Sequence, residues 1–223
     1  MKQKHILWGL FSIFVLLSLH ISVYYKNTFY ASLLFISGLL FASFANLERK
    51  KNRPEKAVLI ALLSSVSVVG RIIFSGIPSV QVSSFMIIIS GISFGSEIGL
   101  FTGIVTALCS NLVLGQGPWT IWQMFLWGCM GLISGFFGKT LVKSRVLIAV
   151  YGIIWGFLFG WGMNLWFVFG YSRGFSAAAF AVAGMSSFPM DLAHALSNAV
   201  LLILAVDSMI GKLKRIGIKY GIL

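Results

Sequence analysis

Asp191, His194 and Asn198 are the residues whose types and spacing most directly suggest chemistry. At i, i+3 and i+7 they share one face of a helix. A carboxylate beside an imidazole can serve as base and orienter, so a hydrolytic or transfer centre is one reading. No activated serine or cysteine is signalled by spacing to complete it. A metal centre wants three or four ligands, and residues 57–211 hold no second histidine. Two other readings stand beside the enzyme: ligand contact, and a helix start, because Asp191 follows Pro189 and a carboxylate suits a helix N-terminus. Gly138-Lys139-Thr140 resembles the end of a phosphate-binding loop. Ile133, however, stands where that motif needs its first glycine, and the segment ends an apolar helix instead of following a strand. No ATPase site, metal site or other catalytic motif is expected of this chain.

Uncharged polar and aromatic residues form the second candidate set. They gather at three connectors between apolar segments: Ser75–Gln81, Gly115–Gln123 and Tyr171–Pro189. The middle one reads Gly-Gln-Gly-Pro-Trp-Thr-Ile-Trp-Gln, with Trp127 one turn below Gln123. Ring surface with a few orienting amides is what a cavity for an organic solute requires. The candidate substrate residues are Arg71, Gln81, Asn111, Trp119, Thr120, Trp122, Gln123, Trp127, Asn164 and His194. For Trp119 and Trp122 an interfacial aromatic belt is an equal alternative. Gln123, Asn111 and Asn164 lie in apolar surroundings, where amides need partners. Arg71 needs an anion or carbonyls, supplied either by a ligand or by an internal ion pair.

The elements that must position these groups are membrane helices. Of 223 residues, 58% are hydrophobic and 10% charged, against about a quarter charged in an ordinary soluble domain. A helix crosses a bilayer core of about 30 Å with roughly 20 apolar residues. Eight segments qualify: Leu7–Val23, Phe29–Phe44, Ala57–Phe74, Val80–Phe94, Ile98–Leu114, Ile121–Phe137, Leu147–Phe169 and Leu192–Ile210. The break at Phe94–Ile98 is the least marked. The 17 basic residues outnumber five acidic ones, for a net charge of +12. With both termini cytoplasmic, 14 of the 17 fall inside, Lys26 and Arg173 fall outside, and Arg71 lies within a span. The basic excess thus reads as topology, not as a nucleic-acid surface. Lys2, Lys4 and the apolar run from Ile6 also fit a signal peptide, but no small-residue cleavage site follows, and the segment is expected to stay as the first span. Cys109 and Cys129 fall inside spans as small core residues.

Four divisions follow: a hairpin over 1–45, a basic cytoplasmic loop over 46–56, a six-helix membrane domain over 57–211 and a basic tail over 212–223. Gly91, Gly95, Gly99, Gly103 and Ala107 recur at every fourth position, a row that lets backbones approach closely. Gly131, Gly135 and Gly138, then Gly152, Gly156 and Gly160, repeat the device. Ala57, Ala61 and Ser65 form a small-residue surface at the cytoplasmic start of the six-helix domain, open to a helix of another subunit. No inverted repeat is evident, which weakens an ion-coupled secondary transporter as the alternative.

This assembly resembles the substrate-binding S component of an energy-coupling factor (ECF) vitamin importer. The resemblance rests on the six-span core with Ala57-xxx-Ala61 on its first helix, and on the glycine-rich turn Ile89–Gly99. It rests also on a last helix entered through Pro189-Met-Asp-Leu-Ala-His194 and left through the basic stretch Lys212–Tyr220. Gly115–Met124 further resembles the cobalamin-directed branch, which implies a corrinoid substrate and no covalently bound cofactor. The resemblance implies an all-α multi-pass protein of the cell membrane that captures its substrate on the outer face. Its implied partners are a transmembrane coupling subunit, docked at Ala57, Ala61 and Ser65, and two cytoplasmic ATPases that power transport. The N-terminal hairpin departs from the six-span pattern, and no role is implied for it.

Overall fold

A computed structural model describes residues 2–49, 54–172 and 174–221. Lys50, Lys51, Arg53 and Arg173, four of the charges used to orient the chain, lie outside the described residues. The elements in order are α1 (Lys2–Tyr24), α2 (Thr28–Arg49), α3 (Pro54–Ile73) with a short 3-10 turn (Phe74–Gly76), α4 (Val82–Phe94), α5 (Ser96–Leu114), α6 (Trp119–Leu141), α7 (Arg145–Tyr171) and α8 (Ala177–Lys219). No strand occurs among the described residues. Among the described residues five helices are long and apolar enough to cross a membrane: Pro54–Gly76, Ser96–Leu114, Trp119–Leu141, Arg145–Tyr171 and Ala177–Lys219. Gly9–Tyr24, Thr28–Ser43 and Val82–Phe94 are shorter apolar helices. With 13 residues at 1.5 Å each, α4 is about 20 Å long, short of a bilayer core.

The chain divides into two compact units. One comprises Met1–Arg53 and Met163–Met185. There α1 and α2 are tied by the Ser18 hydroxyl, which donates to the Ala31 carbonyl at 2.7 Å, and Phe29 packs on Trp166 with centroids 6.4 Å apart. Tyr25, Lys26, Asn27 and Phe169 border a cavity of about 620 Å³ in this unit. No sequence feature signalled it.

The other unit comprises Pro54–Gly162 and Ser186–Leu223. Its centre is α4, with ten of 13 residues buried and Ile87, Ile88 and Ile89 wholly inaccessible. A helix apolar on every side is stable only when wrapped by others. The glycine row is divided between two helices at the expected break between Phe94 and Ile98. At Gly95 the backbone turns to φ +94°, a conformation that suits a residue without a side chain, and the chain folds from α4 into α5. Gly91 and Gly99 nevertheless meet the same partner, since a Cβ on either would strike the Gly131 carbonyl. Gly103 likewise abuts the Trp127 carbonyl. The row therefore clasps α6 from two helices. Gly152, Gly156 and Gly160 on α7 receive Asn198 and Leu202, Ala195, and the Asp191 carboxylate of α8.

Three boundaries differ from the sequence reading. Pro118 (φ −59°) is preset for a helix start, so α6 begins at Trp119 and takes Trp119–Gln123 out of the connector. The last helix starts at Ala177, not beyond Pro189, because Ala177-Ala-Ala-Phe-Ala-Val-Ala183 favours helix strongly. Pro189 sits inside α8 and supplies no N–H to the carbonyl four residues before it. Finally, α2 runs to Arg49 and α8 to Lys219, so helix extends into both the basic loop and the tail.

Candidate functional site

The polar residues of α3, α5 and α6 converge where α3 ends and α5 turns into α6. Gly115 (φ +115°) closes α5 and returns its N–H to the Asn111 carbonyl at 2.8 Å. One turn into α6, Thr120 and Gln123 lie on the face that carries Trp127. The Arg71 Nη1 donates to Asn111 Oδ1 at 2.7 Å and also to the Ser110 hydroxyl. Asn111 Nδ2 donates to Thr120 Oγ1 at 2.8 Å and to Gln123 Oε1 at 2.7 Å. The Thr120 hydroxyl donates in turn to Gln116 Oε1 at 2.8 Å. The Arg71 guanidinium lies 4.7 Å from the centroid of the buried Trp127 ring, a cation–π contact. Beside it opens a cavity of about 280 Å³, lined by Arg71, Phe74, Ser75, Ile77, Gln81 and Leu114 among others.

An aromatic wall leads from this network to the last helix. Trp127 stacks on Phe159 with centroids 5.1 Å apart, and Phe159 meets the His194 ring edge-on at 5.3 Å. His194 Nε2 is 2.7 Å from the Ser84 hydroxyl of α4. The Gln81 side chain accepts from Ser83 at 3.1 Å, and its backbone N–H donates to Ser197 Oγ at 3.4 Å. Of the ten nominated residues, Arg71, Asn111, Thr120, Gln123 and Trp127 form one connected group, and His194 joins it through Phe159. Gln81 borders the same cavity as Arg71. Trp122 is buried beside the group on α6, while the half-buried Trp119 folds its ring over Gly117. Asn164 falls on the stretch of α7 that belongs to the smaller unit. Ser84, Ser110, Gln116 and Phe159 went unnominated. Only Gln116 carried a signal, as an amide in the connector.

Asp191, His194 and Asn198 do share one buried face, and each has its own neighbour. The Asp191 carboxylate rests on Gly160 and accepts from Ser187 at 2.8 Å. Asn198 Nδ2 donates to the Gly152 carbonyl at 3.1 Å. No hydrogen bond joins Asp191 to His194 among the described residues, so the base-and-orienter geometry is not assembled. No group of three or more His, Cys, Asp or Glu there could hold a metal ion.

At the opposite end of α3, Ala57, Ala61 and Ser65 are all exposed, while Leu59, Ile60, Leu63 and Ser64 point into the bundle. Lys56 fixes this end by a 2.6 Å ion pair with Glu97 at the start of α5. Alongside runs an apolar groove of about 490 Å³ bordered by Val58, Leu62, Ile216 and Tyr220.

Five candidate spans in an all-helical chain, with a cation and amides set among them beside a cavity, define a multi-pass membrane protein. The sequence profile described as "ECF transporter, substrate-specific component" matches residues 55–206, more than half of the chain. The chain belongs to that family. Members are substrate-binding subunits of transporters, not catalysts, and associate with the ECF module of coupling subunit and ATPases. Comparison with curated proteins and with solved structures gave no significant match.

Proposed function

We propose that this membrane subunit captures a vitamin in the cavity beside Arg71, with cobalamin or a related corrinoid as the candidate substrate. Substrate enters from outside the cell. Both termini lie in the cytoplasm, the arrangement that places 14 of the 17 basic residues inside and the Arg71 end of α3 outside. A transmembrane coupling subunit docks at Ala57, Ala61 and Ser65, and two cytoplasmic ATPases drive reorientation and release. One observation carries the reading: a half-buried cation and its amide network open onto a cavity, a combination that supplies apolar area with a few orienting groups. At about 280 Å³ the cavity falls just below the range for small-molecule sites, roughly 300–1,000 Å³. A corrinoid therefore requires the turns at Ser75–Gln81 and Gly115–Pro118 to part.

Native mass spectrometry of the detergent-purified subunit tests the proposal. A retained corrinoid mass is expected, together with corrinoid uptake in cells only when coupling subunit and ATPases are co-expressed. Uptake by this chain alone, driven by an ion gradient in liposomes, would sink the proposal.

A further inference from the structure

We infer that the substrate carries an oxyanion, a carboxylate or a phosphodiester, and that Arg71 is the group that receives it. The inference rests on the proposal that this cavity binds the transported solute. It begins with the chain's own acids. Glu97 is paired with Lys56 at 2.6 Å, and Asp207 with Arg145 at 2.7 Å. Asp191 accepts from Ser187 and lies against Gly160. Glu55 borders the groove at the far end of α3, 16 residues and so about 24 Å along the helix from Arg71. Glu48 lies on α2 with its side chain outside the described ones, and none of the other four carboxylates neutralises Arg71, although a charge taken out of water in a membrane protein normally acquires a partner.

The contacts that Arg71 does make leave a specific part of it free. Nη1 is committed to Ser110 and Asn111, and the π-face lies on Trp127. Asn111 is itself held, since its amide nitrogen serves Thr120 and Gln123, so the guanidinium is set in orientation. Among the described residues no acceptor takes the hydrogens of Nε or Nη2. Those two nitrogens form an edge with parallel N–H bonds, which matches two oxygens of one carboxylate or phosphate. Arg71 also borders the cavity, so an arriving oxyanion has space in front of it. Neutral ring and amide contacts hold the cation without discharging it, and the missing negative charge arrives with the solute.

The test uses purified subunit in lipid-free neutral detergent and isothermal titration. The probes are cyanocobalamin (phosphodiester), cobinamide (the corrinoid without its phosphodiester), biotin and pantothenate with their methyl esters, neutral riboflavin and cationic thiamine. The tight binder is expected to carry an oxyanion group. Its ester or phosphate-free counterpart should bind wild-type protein about 100-fold more weakly, the scale for breaking a desolvated charge pair. Arg71→Gln should weaken the anion by a similar factor while narrowing the difference between anion and neutral counterpart, and Arg71→Lys should recover part of it. The comparison of acid with ester needs no variant, so a poorly folding Arg71→Gln does not blunt it. Tight riboflavin or thiamine binding, or an anion and ester bound equally, overturns the oxyanion and leaves the vitamin reading intact. If no probe binds, the vitamin reading fails and the inference with it. If phosphatidylglycerol alone binds in the same titration and Arg71→Gln abolishes that binding, Arg71 serves lipid headgroups and the inference is likewise wrong.

Discussion

Asn111 commits every polar atom of its side chain: Oδ1 accepts from Arg71, and Nδ2 donates to Thr120 and Gln123. Asn111→Leu keeps the volume and removes all three bonds, leaving buried donors and acceptors without partners at about 1–3 kcal/mol each. A clear fall in the detergent unfolding midpoint is expected, with substrate affinity lost as Arg71 is released. An unchanged midpoint would mean that water replaces the amide. Ser84→Ala is the companion case on the aromatic wall. It removes the neighbour of His194 Nε2 at a site where His194 is only 4% exposed, and about 1–3 kcal/mol of stability should go with it. His194→Phe should then restore most of that loss, because an apolar ring of similar shape asks for no partner. If His194 is instead needed for binding, the double variant will be stable and empty. The difference between these residues also explains what the sequence could disclose. Arg71, Asn111 and Gln123 stood out as polar groups in apolar runs, and Thr120 by its place in the connector. Ser110 donates back to the Thr106 carbonyl of its own helix at 2.6 Å, as a small residue in a helix commonly does, Ser84 could have done the same, and Phe159 is one of 20 phenylalanines. Which of them meets the network is decided by tertiary packing, to which local sequence is blind.

At the scale of the element, the glycine rows were legible as close packing because only missing side chains recur at that spacing in a membrane helix. The break at Phe94–Ile98 already divided the first row between two spans, but nothing local shows that Gly91 and Gly99, either side of the Gly95 turn, share one partner in Gly131. The helix starts at Trp119 and Ala177 were missed for a similar reason: spans were bounded by hydropathy, whereas helix ends are set by caps and propensity. The packing makes a paired prediction. A Cβ at Gly131 would overlap the Gly99 carbonyl, a backbone atom that cannot rotate away, so Gly131→Ala must separate α5 from α6. It should destabilise the subunit by more than about 1–3 kcal/mol, the usual cost of overpacking. Gly211 of α8 has nothing within 4 Å of the same atom. Gly211→Ala should be neutral or stabilising by up to about 1 kcal/mol, the intrinsic helix preference of alanine. Thermal unfolding of both variants, followed by circular dichroism, gives the comparison. Equal effects would mean that the α5–α6 contact is looser than drawn.

For the whole molecule the question is how an entirely helical binding subunit is coupled to energy supplied elsewhere, as its family requires. The Arg71 network and the Ala57–Ser65 surface lie toward opposite ends of one helix, α3, so binding and docking need not compete for the same atoms. Ala57 and Ala61 are exposed, whereas Leu59, Ile60 and Leu63 between and beside them hold α3 in the bundle. Enlarging the exposed pair therefore leaves the core untouched while filling the space that a partner helix would occupy beside the apolar groove of Val58, Leu62, Ile216 and Tyr220. Ala57→Leu with Ala61→Leu should keep the unfolding midpoint and substrate affinity of the wild type. Uptake through the complete importer should fall by about tenfold or more, the effect of roughly 1.4 kcal/mol lost at an interface, and co-purification of the coupling subunit should weaken in step. Loss of uptake with the complex intact would move the defect from docking to reorientation. Full uptake by the double variant would show that the partner sits elsewhere and that the exposed alanines merely face lipid.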